Sequence, residues 1–211
     1  MRGLVRVGAA VPSLALGNVK ENMKRHLAMM REAKEKHVSI VTFPELSLTG
    51  YTCGDLFFQR RLLDDVTDAL LTLKDEMPEG ILAVVGAPLE IEGALYNCAV
   101  VLHKGEIISA VPKTFLPNNG EFYEKRWFQS GDARRDASVA IPKLKTDVCR
   151  QAIFETEDGV RFGIELCEDL WAPLPPSTML SVEGAEIILN LSASNELLSK
   201  REYRQQLISQ Q

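Results

Sequence analysis

Apolar and polar positions in the first third of the chain follow two periods in alternation, one typical of strands and one of helices. Residues 4–11 (LVRVGAAV) and 38–45 (VSIVTFPE) are short β-rich runs, and the second is the continuous type expected of a strand buried on both faces. Between them, apolar residues recur at helical spacing over 18–37, and they do so again over 60–75. The pattern predicts strand, helix, strand, helix.

The middle of the chain has the pattern of a β-meander. Three apolar runs, ILAVVGAPLEIE, ALYNCAVVLH and EIISAVPK, are separated by the pairs Glu92-Gly93 and Lys104-Gly105. Short connections of this kind join antiparallel neighbours as hairpins. Residues 114–150 have no clear period and are rich in Pro, Asn and Gly, which predicts a long functional loop followed by an extended segment.

The last third of the chain alternates between strand and helix once more. QAIFETEDGVRFGIEL predicts a hairpin around Asp158-Gly159, followed by a helix at about 176–183, a strand in AEIILNLS and a final helix from Asn195. Strands interleaved with helices and hairpins predict the α/β class, with mixed sheets covered by helices. The final helix runs into Gln211 without a C-capping glycine or a following strand, so we expect a fold truncated at its C-terminus.

Composition and charge narrow the classes of function. The 211 residues can form one sizeable core, and 45% hydrophobic with 25% charged residues is ordinary for a soluble globular protein. A net charge of -5 argues against a nucleic-acid partner, and no apolar run reaches a membrane-spanning length. The cysteines are widely spaced without a CxxC pair, so neither a metal site nor a disulfide framework is expected. We expect reduced thiols in the cytoplasm instead.

Cys167 stands out because acids surround it in IELCEDLW. Glu165, Glu168 and Asp169 lie within two residues of it in sequence. Neighbouring negative charge disfavours a thiolate. Either Cys167 is an inert structural thiol, or the rest of the chain supplies a base and a compensating cation.

Two other predicted strand ends offer that base and that cation. Ligand sites in α/β proteins lie at the carboxyl ends of strands, where Glu45 and Lys113 occur. A partly desolvated Glu45 suits a general base, although a rim acid or a helix cap has the same position. Lys113 alone could equally be a solvated lysine. Of the three histidines, His26 and His37 lie on or beside the first predicted helix, and His103 ends a predicted hairpin strand. Exposed or helix-terminal roles are expected there rather than catalysis.

Three sequence blocks carry a resemblance to a known family. FPELSLTGY around Glu45, VPKTFLPNNGEFYE around Lys113 and IELCEDLW around Cys167 resemble, in order and separation, the signature blocks of the nitrilase (carbon–nitrogen hydrolase) superfamily. Within it, PELSLTGYTCGDLFFQ, GEFYEKRWF and CEDLW are most similar to the amino-terminal glutaminase domains of glutamine-dependent NAD synthetases. The resemblance covers essentially the whole chain.

The resemblance implies a fold, a reaction and a catalytic triad. The fold would be an αββα sandwich, with residues 1–211 forming a nitrilase-like glutaminase domain that is incomplete. Glu45 would be the general base, Cys167 the nucleophile that forms a thioester with L-glutamine, and Lys113 the stabiliser of the tetrahedral intermediate. The backbone N–H of Glu168 would be a second oxyanion donor.

The resemblance also implies a set of residues that bind the substrate. Glu124 would support the lysine and the substrate, and direct glutamine contacts would fall on Asn119, Ser194 and Lys200. Many members of the family have tyrosine and arginine at the positions of Asn119 and Lys200. Further candidates for the pocket wall are Glu168, Tyr51 and Phe122.

No glycine-rich phosphate loop occurs in the sequence, so the synthetase domain implied by the resemblance would lie outside it. That domain, not this one, would bind ATP, Mg and deamido-NAD and would use the ammonia to form NAD; this domain would need no cofactor. The resemblance further implies a homo-oligomer. Two alternatives stay open: a free-standing nitrilase-family amidase that acts on another small amide, and a catalytically silent assembly module.

Overall fold

The computed structural model describes residues 4–133 and 138–210. Its strands are β1 (Val7–Ala9), β2 (Ile40–Thr42), β3 (Leu82–Ile91), β4 (Ala94–His103), β5 (Glu106–Pro112), β6 (Ser138–Ile141), β7 (Thr146–Cys149), β8 (Ile153–Glu155), β9 (Arg161–Leu166) and β10 (Ile187–Leu191). Its α-helices are α1 (Val19–Glu35), α2 (Arg60–Glu76), α3 (Pro176–Val182) and α4 (Lys200–Gln210). Within the described residues, short 3₁₀ helices lie at Gly54–Phe58, Glu124–Arg126, Gly131–Ala133 and Cys167–Trp171.

Two mixed sheets lie face to face in the centre of the fold. One has the strand order β1-β2-β3-β4-β5-β7-β6 and the other has the order β10-β9-β8. Apolar side chains from both sheets fill the space between them: Ile40, Val84, Ala99, Val101, Val111, Phe162, Ile164, Leu166, Leu189 and Leu191. This inter-sheet core aligns the carboxyl ends of β2, β5 and β9, which carry the candidate residues.

Helices cover the outer face of each sheet. A second apolar cluster joins α1 and α2 to the larger sheet. On the other side, α3 packs so closely on β9 that a Cβ at Gly163 would lie 2.8 Å from Cδ1 of Leu180. The layer order is therefore helix, sheet, sheet, helix, and the predicted αββα sandwich is confirmed.

Most of the predicted elements are present. Helix α1 begins where Asn18 caps it, since the Asn18 side chain accepts a hydrogen bond from the backbone N–H of Glu21 at 3.1 Å. The meander is confirmed as two hairpins, β3–β4 and β4–β5. In their turns Glu92 and Lys104 have φ of 50° and 49°, each followed by a glycine that also has a positive φ, as two-residue primed turns require.

Three predictions differ from the structure. Strands β1 and β2 are three residues each, shorter than the predicted runs. The segment predicted as simply extended forms the antiparallel hairpin β6–β7, whose turn residue Lys145 has a φ of 51°. Helix α4 begins at Lys200 rather than Asn195, because Ser199 adopts a φ of 64° that interrupts the helix.

Parts of the predictions lie outside the described residues: positions 1–3 of the domain, 134–137 within the predicted extended segment, and Gln211 at the end of the last helix. Among the helices that are described, none combines the length and the apolar character needed to cross a membrane.

Candidate active site

Glu45 lies in a tight turn that follows β2 and rests on β3. The backbone N–H of Leu48 donates to the carbonyl of Gly86 at 3.1 Å, and that glycine is essential to the close approach. A Cβ at Gly86 would lie 2.3 Å from the carbonyl oxygen of Pro44 and 2.4 Å from the backbone nitrogen of Leu46. Leu46 also has a φ of 51°, a strained conformation of the kind found at functional sites. The turn holds the Glu45 carboxylate, which is 1% exposed, against the ends of the strands.

Lys113 directly follows β5, and its backbone is fixed on both sides. Its N–H donates to the carbonyl of Asn97 at 2.8 Å, and its carbonyl accepts from the N–H of Gly131 at 2.8 Å. The ammonium Nζ donates to Oε1 of Glu45 at 2.6 Å and to Oε1 of Glu124 at 2.7 Å. All three side chains are essentially excluded from solvent. The lysine is therefore a buried bridge between two carboxylates rather than a solvated loop residue.

Two neutral side chains complete this cluster. The Tyr51 hydroxyl donates to Oε1 of Glu124 at 2.6 Å. The amide Nδ2 of Asn97 donates to Oε1 of Glu45 at 2.7 Å and lies 3.4 Å from Oε2 of Glu124. Asn97 therefore links the two acids, a role that the sequence did not lead us to predict. A polar residue in the middle of the apolar strand ALYNCAVVLH is the signal that could have identified it.

The charges of the cluster are not balanced, because one ammonium faces two carboxylates. Burial lowers the pKa of Lys113, but Glu45 and Glu124 outweigh that effect and hold it above the usual lysine value. Burial raises the pKa of Glu124; Lys113 opposes that shift and Glu45 adds to it. The lysine thus remains charged, and the excess negative charge favours protonation of an acid in the cluster.

Cys167 directly follows β9 and begins the 3₁₀ helix Cys167–Trp171. Its φ is 44°, a left-handed conformation that a residue with a side chain adopts only when its surroundings enforce it. Burial raises the pKa of its thiol to about 12; the charge of Glu45 also raises it, and Lys113 and hydrogen bonds from Ser192 and Ala193 lower it. Neutral thiol is therefore the resting form.

The acids next to Cys167 in sequence have other structural roles. Glu165 accepts hydrogen bonds from the N–H of Ser177 and from the side chain of Asn190. Asp169 accepts from backbone N–H groups, among them that of Leu166 at 3.0 Å. The acid that raises the pKa of the thiol is Glu45, which is distant in sequence.

Three of the predicted substrate-binding residues, Tyr51, Phe122 and Lys200, lie next to one another beside the charged cluster. The rings of Tyr51 and Phe122 meet edge to face at 6.2 Å. The ammonium of Lys200 lies 5.9 Å from the centre of the Phe122 ring and 5.4 Å from that of Trp171. Helix α4 therefore delivers a cation to an aromatic surface, where cations are attracted to the ring faces.

The other predicted substrate contacts lie further out. Asn119 is exposed, and its carbonyl accepts from the N–H of Phe122 at 3.0 Å. Ser194 accepts from Arg204 at 3.5 Å. Glu168 lines a cavity of about 400 Å³ whose other walls are Thr114, Phe115, Leu116, Lys125, Ser130, Trp171, Ala172 and Pro173. Glu45, Lys113 and Cys167 do not line that cavity.

His26 differs from the sequence prediction because it is fully buried, not exposed or helix-terminal. Its Nδ1 lies 2.7 Å from the carbonyl of Asn22, and its Nε2 lies 2.9 Å from Oγ of Ser47. Burial lowers its pKa to about 4, so the ring is neutral, donates to the carbonyl and accepts from the serine. His26 thus supports the turn that carries Glu45 instead of pairing with the cysteine.

Comparisons with known proteins match nearly the whole chain. The family model described as carbon-nitrogen hydrolase matches residues 6–211. A glutamine-dependent NAD(+) synthetase from Mycobacterium tuberculosis is 36% identical over 208 residues, which cover 97% of this chain and 30% of that protein. The crystal structure of a glutamine-dependent NAD(+) synthetase from Cytophaga hutchinsonii matches with a TM-score of 0.83 at 29% identity, over 97% of this chain and 33% of the other.

An amidase from Nesterenkonia sp. matches with a TM-score of 0.72 at 16% identity, over 92% of this chain and 67% of the amidase, and this likeness concerns the fold alone. The chain spans about a third of the length of the synthetases that it matches. Its fold, the three sequence blocks and the match over residues 6–211 lead to one conclusion: the chain belongs to the carbon–nitrogen hydrolase family.

Proposed function

We propose that the chain is a glutaminase that hydrolyses the side-chain amide of L-glutamine with Cys167 as nucleophile, Glu45 as general base and Lys113 as electrostatic stabiliser. The observation that carries the proposal is the buried bridge of Lys113 to Glu45 at 2.6 Å, which exerts its charge on the Cys167 thiol. If Lys113 were a solvated lysine or Glu45 an acid at the protein surface, these side chains would not be excluded from water in this way.

The first half of the reaction forms a thioester. The thiol proton moves to Glu45 as Sγ of Cys167 bonds to the amide carbon of the substrate, and the carbonyl oxygen becomes an oxyanion. The Lys113 ammonium and the backbone N–H of Glu168 stabilise this oxyanion. Glu45 then gives its proton to the amide nitrogen, the C–N bond breaks, and ammonia leaves.

The second half of the reaction returns the enzyme to its starting state. Glu45 takes a proton from water, the hydroxide attacks the thioester carbon, and the C–S bond breaks to release glutamate. The proton on Glu45 returns to the thiolate. A thiol whose pKa is about 12 suits this cycle, because the proton leaves only when the substrate accepts the sulfur electrons.

Two observations support glutamine as the substrate. The Lys200 ammonium lies beside the aromatic rings of Phe122 and Tyr51, and a cation suits the α-carboxylate of an amino acid substrate. The relatives that match most of this chain are named as glutamine-dependent synthetases. In a longer protein like those relatives, the ammonia would serve the ATP-dependent amidation of deamido-NAD by a synthetase domain, in the cytoplasm.

Ammonia release from L-glutamine tests the proposal. The chain and its Cys167→Ala variant are assayed, with Cys149→Ala as the matched control, since Cys149 is a half-buried free thiol outside the cluster. We expect release by the chain and by the control, but not by Cys167→Ala. Asparagine and simple aliphatic amides are assayed as alternative substrates. A preference for one of them would favour the amidase alternative over the glutaminase proposal. The Nesterenkonia amidase shares only its fold with this chain.

A further inference from the structure

Asp169 connects the two segments that carry the cation and the nucleophile. Its Oδ1 accepts the backbone N–H of Phe115 at 2.7 Å and that of Thr114 at 3.1 Å, in the segment that directly follows Lys113. Its Oδ2 accepts the backbone N–H of Leu166 at 3.0 Å, one residue before Cys167. One carboxylate therefore ties the lysine segment to the cysteine turn.

The connection is buried, and in it the Asp169 carboxylate acts only as a hydrogen-bond acceptor. Asp169 is 1% exposed, and the donors named above are all backbone N–H groups, whose hydrogen bonds an ionised carboxylate can accept together. Burial raises the pKa of Asp169 to about 7, although the N–H groups of Phe115 and Leu166 and the charge of Lys113 lower it. Keeping a charge in such a place is unfavourable by itself, so a positional role explains it better than a contribution to stability.

Cys167 needs such support more than most residues do. Its φ of 44° is strained, and the hydrogen bond from the N–H of Leu166 to Asp169 spans that residue and closes the turn around it. We propose that Asp169 is a positioning residue that fixes the Cys167 thiol relative to the Lys113 ammonium by binding the backbone on either side of the site. The inference rests on the proposed function for the roles of these two groups.

The chain offers a matched control for the test. Glu165 lies two residues before Cys167, and Asp169 lies two residues after it. The two acids are equally buried. Glu165 accepts one hydrogen bond from a backbone N–H and one from a side-chain amide. Its partners, Ser177 and Asn190, belong to α3 and β10 and not to the lysine segment. Asp169→Asn and Glu165→Gln thus make the same chemical change on opposite sides of the cysteine, and in each an amide N–H faces a former N–H partner.

The experiment compares the rate of Cys167 alkylation by iodoacetamide in the unmodified chain, Asp169→Asn and Glu165→Gln, at about pH 8, where an acid of pKa about 7 is ionised. The sign of the change separates two explanations. Loss of a nearby negative charge alone would favour the thiolate and speed alkylation. Loss of position slows it, and we expect a decrease of about 100-fold in Asp169→Asn, the scale of a 1 Å misplacement, against less than about threefold in Glu165→Gln.

Two further measurements exclude general unfolding. Urea midpoints of the two variants should be comparable, and for L-glutamine kcat should fall in Asp169→Asn with KM nearly unchanged. Alkylation of Asp169→Asn at or above the original rate, or equal slowing in both variants, would overturn the inference. If the unmodified chain releases no ammonia from glutamine while the alkylation rates differ as expected, the proposed function fails and the positional role of Asp169 stands.

Discussion

Lys113 and Glu45 form an ion pair of 2.6 Å from which solvent is excluded on both sides, although 67 residues separate them in sequence. Such a pair adds little to stability compared with apolar packing, because both charges lose their hydration. Its value lies in opposing effects on one thiol, since Glu45 raises the pKa of Cys167 and Lys113 lowers it. Burial is the largest cause of the raised thiol pKa, and the pair adds two opposing contributions to it.

The two partners should shift the alkylation profile of Cys167 in opposite directions. Glu45→Gln removes the charge that raises the thiol pKa, so iodoacetamide should react faster at neutral pH, while ammonia release from glutamine stops for lack of a proton acceptor. Lys113→Met removes the charge that lowers the thiol pKa, so alkylation should slow. The measurement is the rate of Cys167 alkylation against pH.

Stability must be controlled in the lysine variant, because breaking a buried ion pair costs about 3–5 kcal/mol. The double variant Lys113→Met/Glu124→Gln also removes one of the two carboxylates that lose their partner, so it should recover part of that loss in stability. Alkylation of Cys167 should remain slow in it. Unchanged profiles in both single variants would mean that neither side chain acts on the thiol.

Asn97→Asp should make folding depend on pH. The variant places a third carboxylate where Asn97 now donates to Glu45 and approaches Glu124, beside a single ammonium. The pKa of the new acid would be raised in the folded state, so stability is retained below its unfolded pKa and lost as the pH rises through the folded one. We expect a loss of about 3–5 kcal/mol at high pH, measured by urea unfolding between about pH 5 and 8. A loss independent of pH would contradict the assignment.

Gly86→Ala should displace the turn that carries Glu45. Its Cβ would meet backbone atoms at 2.3 and 2.4 Å, and backbone cannot move aside as a flexible side chain can. We expect a loss of about 1–3 kcal/mol together with slower turnover. Gly8→Ala is the matched control, since its Cβ would meet only a side-chain methyl of Val38 at 3.2 Å. Equal effects of the two substitutions would remove the special role of Gly86.

Local sequence signals predicted most of the elements, and the exceptions have physical causes. The hairpins were predictable because Gly93 and Gly105 mark turns that need positive φ. The β6–β7 hairpin was not, since Lys145 adopts that conformation without a glycine beside it. The start of α4 was misplaced because the φ of Ser199 interrupts a segment whose composition suits a helix.

The candidate site was only partly predictable for a similar reason. Glu45, Lys113 and Cys167 lie just beyond the carboxyl ends of strands, a position that a hydrophobic pattern reveals. The role of Asn97 and the burial of His26 depend on which elements pack together. The apolar neighbours of Asn97 mark it as unusual but not what it binds, and the neighbours of His26 do not mark its burial. The same holds for the acids next to Cys167 in sequence, which suggested a local effect on the thiol. In the structure Glu165 binds the N–H of Ser177 in α3, and Asp169 binds backbone N–H groups.

Labelling with 6-diazo-5-oxo-norleucine, an electrophile shaped like glutamine, tests the central claim most directly, because it reports the nucleophile and the substrate together. Mass mapping of the adduct, with and without excess L-glutamine, is the measurement. We predict a single rapid adduct on Cys167, because Cys53, Cys98 and Cys149 lie outside the charged cluster. Glutamine should suppress this adduct and asparagine should not. An adduct mainly on one of those three cysteines, or an adduct on Cys167 that glutamine does not suppress, would contradict it.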